Sequence, residues 1–290
     1  MLQKFFQLNS CDNLKCIDSA EAFAQHFHNA SSLKNSLVTD RITLSEGGLK
    51  DIELENVQLS KVIFERFTFT RCRFVDCILV GTTFNDCQFH QCSFRNCNTY
   101  KFNLKNVYID PRSFQLDRRY HWTASNIGVD LFQTLYRNAS ETYQTYFASF
   151  ADIKRRRWRR YQSWYDIKEN RTRRISALWQ IFSDVCFDLT MKYGYGPLRF
   201  LLISSVLFIT MPSLGQHLWD AMGMMRASTP IPSVTLSDAL YYCMLLVTTL
   251  GFSDLVPTTQ IGKMFAVGCA LFGISWMALF TAILVKRVIR

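Results

Sequence analysis

Hydrophobic residues recur every five positions between residues 41 and 105, a period that fits neither an ordinary strand nor a helix. Written in fives, the segment reads RITLS, EGGLK, DIELE, NVQLS, KVIFE, RFTFT, RCRFV, DCILV, GTTFN, DCQFH, QCSFR, NCNTY and KFNLK. The fourth place is Leu or Phe except once, at Thr99, and the second is mostly small or β-branched, as at Val57 and Cys72. A period sustained over this length predicts a stacked repeat architecture.

After the repeats the hydrophobic period becomes helical. One stripe, from Val129 to Ile153, predicts a helix that either closes the open end of the repeats or pairs with a neighbouring helix. A second stripe, from Ile175 to Leu189, follows the basic run KRRRWRR that starts at Lys154. Because a basic, aromatic-rich amphipathic helix beside a membrane span is typical of the membrane interface, we predict an interfacial helix here. A helix packed on a soluble core is the alternative.

Two long apolar stretches predict membrane spans. Residues 200–219 carry no charged side chain, and residues 261–285 carry only Lys263. At about 1.5 Å per helical residue, each stretch is long enough to cross roughly 30 Å of hydrocarbon. Two spans place both ends of the chain on one side of the membrane.

Between the spans lies a third uncharged stretch, residues 239–253, which is too short to cross a membrane as a helix. We predict a re-entrant helix that begins near Thr235 or Ser237, ends at Thr248, and is followed by an extended return to the same side. Polar backbone at that depth persists only where it lines water or ions, so the return segment is a candidate ion pathway.

Basic residues flank the inner ends of both spans, and we expect these residues to face lipid headgroups. They are Arg171, Arg173, Arg174, Arg199, Lys286 and Arg287. Since positively charged flanks stay on the cytoplasmic side, the sequence predicts an integral membrane protein with cytoplasmic termini, most simply in a prokaryotic inner membrane, with membrane lipids as partners.

The net charge of +10 comes mainly from the basic run beginning at Lys154. Such a run is a solvated helix face or a surface for anionic lipid; nucleic acid is disfavoured because the run lies beside the predicted membrane segment. The five-residue spacing of the cysteines from Cys72 to Cys97 contains no CxxC pair, which favours core residues over metal ligands. Since no catalytic grouping or phosphate loop is present, we predict no enzymatic activity, no cofactor and no structural or catalytic metal.

The repeat segment resembles the pentapeptide-repeat family, whose second and fourth places point inward. The resemblance implies a right-handed, four-sided β-helix with four repeats per turn and about three coils. Some members of that family mimic DNA through an acidic surface. Mimicry is disfavoured here, because residues 41–107 carry nine Lys and Arg against seven Asp and Glu.

The stretch ALYYCMLLVTTLGFSDLVP, residues 239–257, resembles the pore segment of two-span potassium channels. The resemblance implies a homotetramer in which backbone carbonyls replace the hydration shell of K⁺. The implied ion-binding filter residues are Thr249, Leu250, Gly251, Phe252, Ser253 and Asp254. The implied supporting residues are Tyr241, Tyr242 and Thr248.

The second span carries the predicted gate. Gly273 lies where the inner helix of that family often has a hinge glycine, and Met277, Thr281 and Val285 follow at four-residue intervals. Gating would then be influenced by the cytoplasmic repeats or by an unidentified cytoplasmic regulator.

Two departures from the family leave alternatives open. Ser253 stands where glycine is usual, and Phe252 replaces the usual tyrosine. A non-glycine residue with positive φ costs about 1 kcal/mol or more, so a poorly selective monovalent cation channel is the first alternative. A non-conducting membrane anchor that presents the repeats is the second.

The predicted fold class is mixed: a quadrilateral β-helix, a helical linker and an all-α membrane pore domain. The predicted divisions are an N-terminal segment at 1–40, the β-helix at 41–108, a helical linker with the basic interfacial helix at 109–192, and the two-span pore domain with its filter at 193–290.

Overall fold

The structure, a computed structural model, describes residues 8, 14–29, 31–38, 42–169, 174–226, 229–230, 235–248, 250 and 254–288. The chain divides into two compact units, Met1–Val185 and Cys186–Arg290.

The first unit begins with strands and ends with helices. Its strands are β1 (Lys15–Ile17), β2 (Ser32–Val38), β3 (Thr43–Lys50), β4 (Glu53–Gln58), β5 (Ile63–Thr70), β6 (Arg73–Val75), β7 (Thr83–Asn85), β8 (Gln88–His90), β9 (Ser93–Arg95), β10 (Asn103–Lys105) and β11 (Phe114–Gln115). Its helices are α1 (Ala20–Asn29), α2 (Arg118–Thr123), α3 (Ser125–Glu141) and α4 (Thr145–Lys168), and α5 (Arg174–Met191) crosses the boundary between the units.

The strands stack in parallel with a period of 20 residues. On one side of the stack, Leu44 pairs with Phe64, Phe64 with Phe84, and Phe84 with Leu104. Twenty residues are four pentapeptides, so each repeat forms one side of a four-sided coil. The β-helix implied by the resemblance to pentapeptide repeats is confirmed.

The fourth-place side chains fill the interior of the coil. Phenylalanines that lie one turn apart stack nearly parallel, and those on adjacent sides meet edge to face. The stacked pairs, with their ring-centroid distances, are Phe64 with Phe84 (4.9 Å), Phe69 with Phe89 (4.6 Å), Phe74 with Phe94 (4.6 Å) and Phe94 with Phe114 (4.3 Å). Aromatic contacts of this kind add to the free energy gained by burial alone.

The second-place cysteines are hydrogen-bond donors inside the coil. The thiol of Cys72 lies 3.3 Å from the carbonyl oxygen of Leu49, and Cys77 makes the same contact with Leu54. Burial raises the pKa of the Cys87 thiol to about 11, so this group stays protonated at neutral pH. Among the described residues no group of three or more possible metal ligands occurs. These cysteines therefore pack and bond within the coil.

The first place of each pentapeptide forms a corner with positive φ. These corner residues are Glu46, Asp51, Asn56, Lys61, Arg66, Arg71, Asp76, Gly81, Asp86, Gln91, Asn96, Lys101 and Asn106. Side chains one turn apart bond to each other: Arg71 Nη2 donates to Asp51 Oδ2 at 2.6 Å, and Asn106 Nδ2 donates to Asp86 Oδ1 at 2.7 Å. Six of these thirteen corners are Asn or Asp, which tolerate this conformation better than other L-residues do, and one is glycine.

The coil extends on both sides of the range 41–108. Strand β2 pairs with β4, and β11 pairs with β9. Leu33 lies opposite Leu54, an offset of 21 residues instead of 20. The one extra residue shifts β2 out of the five-residue pattern. For this reason the periodicity alone places the start of the coil at residue 41, after β2.

Helix α3 closes the C-terminal end of the coil. Its apolar residues Leu131 and Phe132 are buried in the same core as the repeat side chains. Asn138, only 1% exposed, accepts a hydrogen bond from Val107 N at 2.9 Å and donates one to Val107 O at 2.7 Å. The opposite side of α3 packs on α4, where Trp158 lies against Gly128. The single helix predicted over residues 129–153 is wrong, because the chain turns at Tyr143, whose φ is positive, and the stripe is divided between α3 and α4. Helix α3 both closes the coil and pairs with a neighbouring helix, because it has two buried sides.

We expect Asn138→Ala to destabilise the coil by about 2 kcal/mol, because it leaves the buried N–H of Val107 without its partner, while Val107 O keeps the Gln144 Nε2 donor at 3.2 Å. Hydrogen exchange of the coil amides in the full-length protein measures this effect. The matched control is Ser140→Ala, an exposed position on the same helix. Equal exchange in the two variants would contradict a capping role for Asn138.

The second unit is mainly helical. Its helices are α6 (Pro197–His217), α7 (Trp219–Met222), α8 (Leu236–Val247) and α9 (Gln260–Val288), and its strands are β12 (Met224–Arg226), β13 (Thr229–Pro230) and β14 (Leu255–Pro257). In the described part of the chain, α6 and α9 are the helices long and apolar enough to cross a membrane. Strand β12 pairs antiparallel with both β13 and β14, which ties the segment after α6 to the segment before α9.

Candidate ion pathway

Helix α8 is short because its two ends are specified by local sequence. Thr235 and Asp238 form a reciprocal capping box at its start: the Thr235 hydroxyl accepts from Asp238 N and the Asp238 carboxylate accepts from Thr235 N, each at 3.3 Å. Thr248 caps the other end, and its hydroxyl donates to Met244 O at 2.7 Å. These ends are the ones predicted for the re-entrant helix. At 12 residues, α8 reaches about 18 Å, less than the hydrocarbon thickness.

A small apolar core lies beside α8. It contains Trp219, Met222, Met224, Tyr242 and Leu255. The rings of Trp219 and Tyr242 meet edge to face at 6.4 Å. These contacts hold α8 against α7 and the sheet, so Tyr242 supports the helix that precedes the predicted filter. Its neighbour Tyr241 is 47% exposed on the single chain.

The end of α8 touches α9 at a glycine. A Cβ atom on Gly273 would lie 2.0 Å from the carbonyl oxygen of Val247, the last residue of α8. No side chain larger than hydrogen fits at that distance, so the close approach of the two helices requires this glycine. The structure thus gives Gly273 a packing role, while its role as a hinge stays a prediction.

The two long helices are joined by a hydrogen bond. Trp276 Nε1 donates to Ser204 Oγ at 2.9 Å, and Ser204 in turn donates to Phe200 O at 2.8 Å. The Trp276 ring also stacks on Phe200 with a centroid distance of 4.6 Å. Sequence reasoning missed this pair, although a tryptophan and a serine inside otherwise aliphatic spans were the available signal. Polar contacts between helices are a recognised source of association in membranes.

The comparison with known families agrees with this geometry. Residues 198–290 match the family described as ion channel, and residues 52–91 match eight copies of the pentapeptide repeat. The chain joins an ion-channel domain to a pentapeptide-repeat coil. A search of curated proteins finds no match. The match to the ion-channel family and the two apolar helices indicate a membrane protein.

The predicted filter of the channel domain is only partly described. Thr249, Gly251, Phe252 and Ser253 lie outside the described residues. Leu250 is 60% exposed, and Asp254 is also exposed, directly before β14. The filter assignments therefore stay predictions, and the structure describes the helix before the filter and the strand after it.

The predicted gate residues of the channel domain differ in their surroundings. Gly273 is buried against α8, whereas Met277 and Val285 are 60% and 48% exposed on the single chain. Thr281, also exposed, donates its hydroxyl to Met277 O at 2.9 Å. The exposed three are available to line a cavity or to contact another copy of the domain.

The basic residues predicted to face lipid are spread over three places. Arg171 and Arg173 lie outside the described residues. Arg174 begins α5, Arg199 is exposed in the first turn of α6, and Lys286 and Arg287 belong to the last turn of α9.

Helix α5, between Arg174 and the first span, leaves most of its apolar stripe uncovered. Ile175 is 85% exposed, Trp179 is 70% exposed and Phe182 is 59% exposed. An uncovered apolar stripe on a helix that leads into a membrane span is what the predicted interfacial helix requires.

Proposed function

We propose that the chain forms a homotetrameric potassium channel whose filter is the segment TLGFSD, residues 249–254. The observation that carries this proposal is the short capped helix α8, set between two spans and followed at once by that polar segment. The C-terminal end of a helix carries partial negative charge, so α8 directs a favourable potential for a cation toward the filter. The filter carbonyls would then replace the hydration shell of the ion.

The resemblance of residues 239–257 to two-span potassium channels, in which four chains surround the pore, supports a tetramer. One re-entrant segment supplies one side of a pore, and four copies around an axis complete each ring of carbonyls. The exposed apolar side chains of the channel domain support association: Tyr241, Met264, Leu271 and Met277 are uncovered on the single chain. No cofactor is needed for such a mechanism besides the conducted K⁺.

Ser253→Gly tests the filter assignment directly. We expect this substitution to raise the preference for K⁺ over Na⁺, because glycine adopts positive φ without the cost of about 1 kcal/mol or more that serine pays. The measurement is the reversal potential under bi-ionic conditions, with the purified protein in liposomes. An unchanged reversal potential would count against residue 253 as a filter position.

The same liposome experiment separates the other functions. A wild-type reversal potential near zero between K⁺ and Na⁺ would favour a poorly selective monovalent cation channel, for which Ser253 is the supporting observation. Absence of cation flux from protein that has assembled would favour a non-conducting anchor. Thr249 and Gly251, both typical of a potassium filter, argue against the anchor.

We also propose that the cytoplasmic half influences the gate through α5. The last residue of α5, Met191, is buried with Phe200 of α6 and Ile283 of α9. A movement of α5 therefore acts on both spans at their predicted cytoplasmic ends. An unidentified cytoplasmic regulator that binds the coil would use the same route.

Deletion of residues 1–125 tests this route. We expect the shortened channel to keep its ion preference but to become locked or constitutively open, because the filter and the coil lie in different units. Single-channel recording gives the open probability. If it stays at the full-length value under every condition tested, the coil is an assembly or docking module and the gating proposal is wrong.

A further inference from the structure

We propose that α2 and α4 form a surface that docks on the anionic headgroups of the cytoplasmic leaflet. The basic-aromatic surface, as we name it, consists of Arg118 and Trp122 of α2 and of Arg157, Arg160, Tyr161, Trp164 and Lys168 of α4. The proposal rests on the proposed function in one respect: the two spans of a channel place this part of the chain on the cytoplasmic side.

Helix geometry places the α4 residues together. They recur at spacings of three and four, so they share one side of the helix. The neighbouring side of α4, which packs toward α3, holds Ala151 and Trp158, which are 0% and 5% exposed. Helix α2 extends the same surface, because the rings of Trp122 and Tyr161 meet edge to face at 6.4 Å.

The charge on this surface is of one sign. Its positions on α4 include three basic residues and no acidic one. The acidic side chain Asp152 lies on the other side of α4, is 3% exposed, and bonds to Arg155 at 2.7 Å and to Arg156 at 3.1 Å. On α2, Asp117 pairs with Arg119 at 2.9 Å.

Two groups beside the basic-aromatic surface, Lys154 and His121, are affected by its positive charge. Burial, together with the charge of Arg157, lowers the pKa of Lys154. Burial also lowers the pKa of His121, whose ring stacks on Tyr161 at 4.1 Å, and the charges of Lys154 and Arg118 lower it further. An anion bound at this surface would relieve the repulsion among these groups.

The aromatic residues favour a membrane as the source of the anion. Trp122 is 64% exposed and Trp164 is 45% exposed. Indole rings prefer the headgroup level of a bilayer, where their apolar body and their N–H group are both accommodated. Basic residues near an anionic leaflet add an attraction of about 1 kcal/mol each.

The length of the chain keeps this surface close to the membrane. Lys168 ends α4 and Arg174 begins α5, so the link spans at most about 20 Å even when fully extended. The first residues of α5 carry the uncovered side chains Ile175 and Trp179, which we place in the interface. Nucleic acid can also bind arginine and aromatic side chains. The two spans, however, hold the basic-aromatic surface near the bilayer, so a lipid headgroup is the nearer source of phosphate.

Tryptophan quenching by brominated lipid tests the proposal in the full-length protein. The protein is reconstituted in phosphatidylcholine vesicles that contain a minority of brominated phosphatidylglycerol, and the quenched share of the tryptophan emission is measured. We expect that share to fall in the double variant Trp122→Phe/Trp164→Phe. We expect the charge reversal Arg157→Glu/Lys168→Glu to lower the ratio of docked to undocked surface by at least about 30-fold, at about 1 kcal/mol per charge.

The controls decide between lipid and other occupants. Arg95→Glu, an exposed position on β9, should leave the quenching unchanged. Arg157→Gln/Lys168→Gln removes two positive charges without adding negative ones, so it should lower the ratio by about 30-fold, less than the reversal does. Equal quenching by brominated phosphatidylcholine without phosphatidylglycerol would overturn the proposal, since the charge would then be irrelevant. Protection of the two indoles from acrylamide by an added oligonucleotide, and not by phosphatidylglycerol, would also overturn it.

Cation flux into the same vesicles separates this proposal from the channel function. If cations enter the vesicles but the quenching is the same in Trp122→Phe/Trp164→Phe, the docking proposal is wrong and the channel function is supported. Quenching that depends on those two residues, in assembled protein without flux, would support the surface and contradict the channel.

Discussion

Replacement of Phe84 by alanine should destabilise the coil by about 3 to 5 kcal/mol. Phe84 is 0% exposed and stacks on Phe64 at a centroid distance of 4.9 Å. It also meets Phe69 and Phe89 edge to face. Truncation removes these contacts and leaves a cavity that the hydrogen-bonded coil cannot collapse to fill, because each turn is held at a set spacing by its neighbours.

The next residue supplies the control. Asn85 lies in the same strand, and its side chain points out of the coil, so Asn85→Ala should change the stability by less than about 0.5 kcal/mol. Hydrogen exchange of the coil amides reports both effects in the intact protein. Similar losses in the two variants would contradict the inward orientation of the fourth place.

A methyl group at Gly273 should disrupt the channel domain. In Gly273→Ala the new Cβ would lie 2.0 Å from the carbonyl oxygen of Val247, so α8 and α9 must move apart. Overpacking of this kind costs about 1 to 3 kcal/mol, and here it displaces the helix end that precedes the predicted filter. We expect loss of K⁺ flux in liposomes, with or without loss of the tetramer.

Gly268 is the matched control on the same helix. A Cβ atom there meets nothing within 4 Å in the single chain, so Gly268→Ala should leave the contact between α8 and α9 intact and keep the flux. A pure hinge role for Gly273 makes a different prediction: alanine would then alter the open probability while the tetramer and the α8–α9 contact survive. Normal flux in Gly273→Ala would show that the close contact is not required.

Much of the fold follows from local patterns. The five-residue period predicts the coil, because every turn places the same positions inside, and the register between Phe64 and Phe84 confirms it. The capping box of Thr235 and Asp238 places the start of α8, because both partners lie within one helical turn. The lengths of the apolar stretches predict the spans for the same reason: length and composition are properties of a single segment.

Only the tertiary structure shows the contacts between residues that are distant in the sequence. The 21-residue offset that brings β2 into the coil, the closure of the coil by Asn138 on Val107, and the hydrogen bond from Trp276 to Ser204 each join separate segments. No periodic signal marks these contacts, since each is made once and depends on how two elements approach each other. Gly273 is the clearest case: the sequence alone indicates a hinge, while the structure adds a backbone carbonyl within van der Waals contact, for which only glycine leaves room.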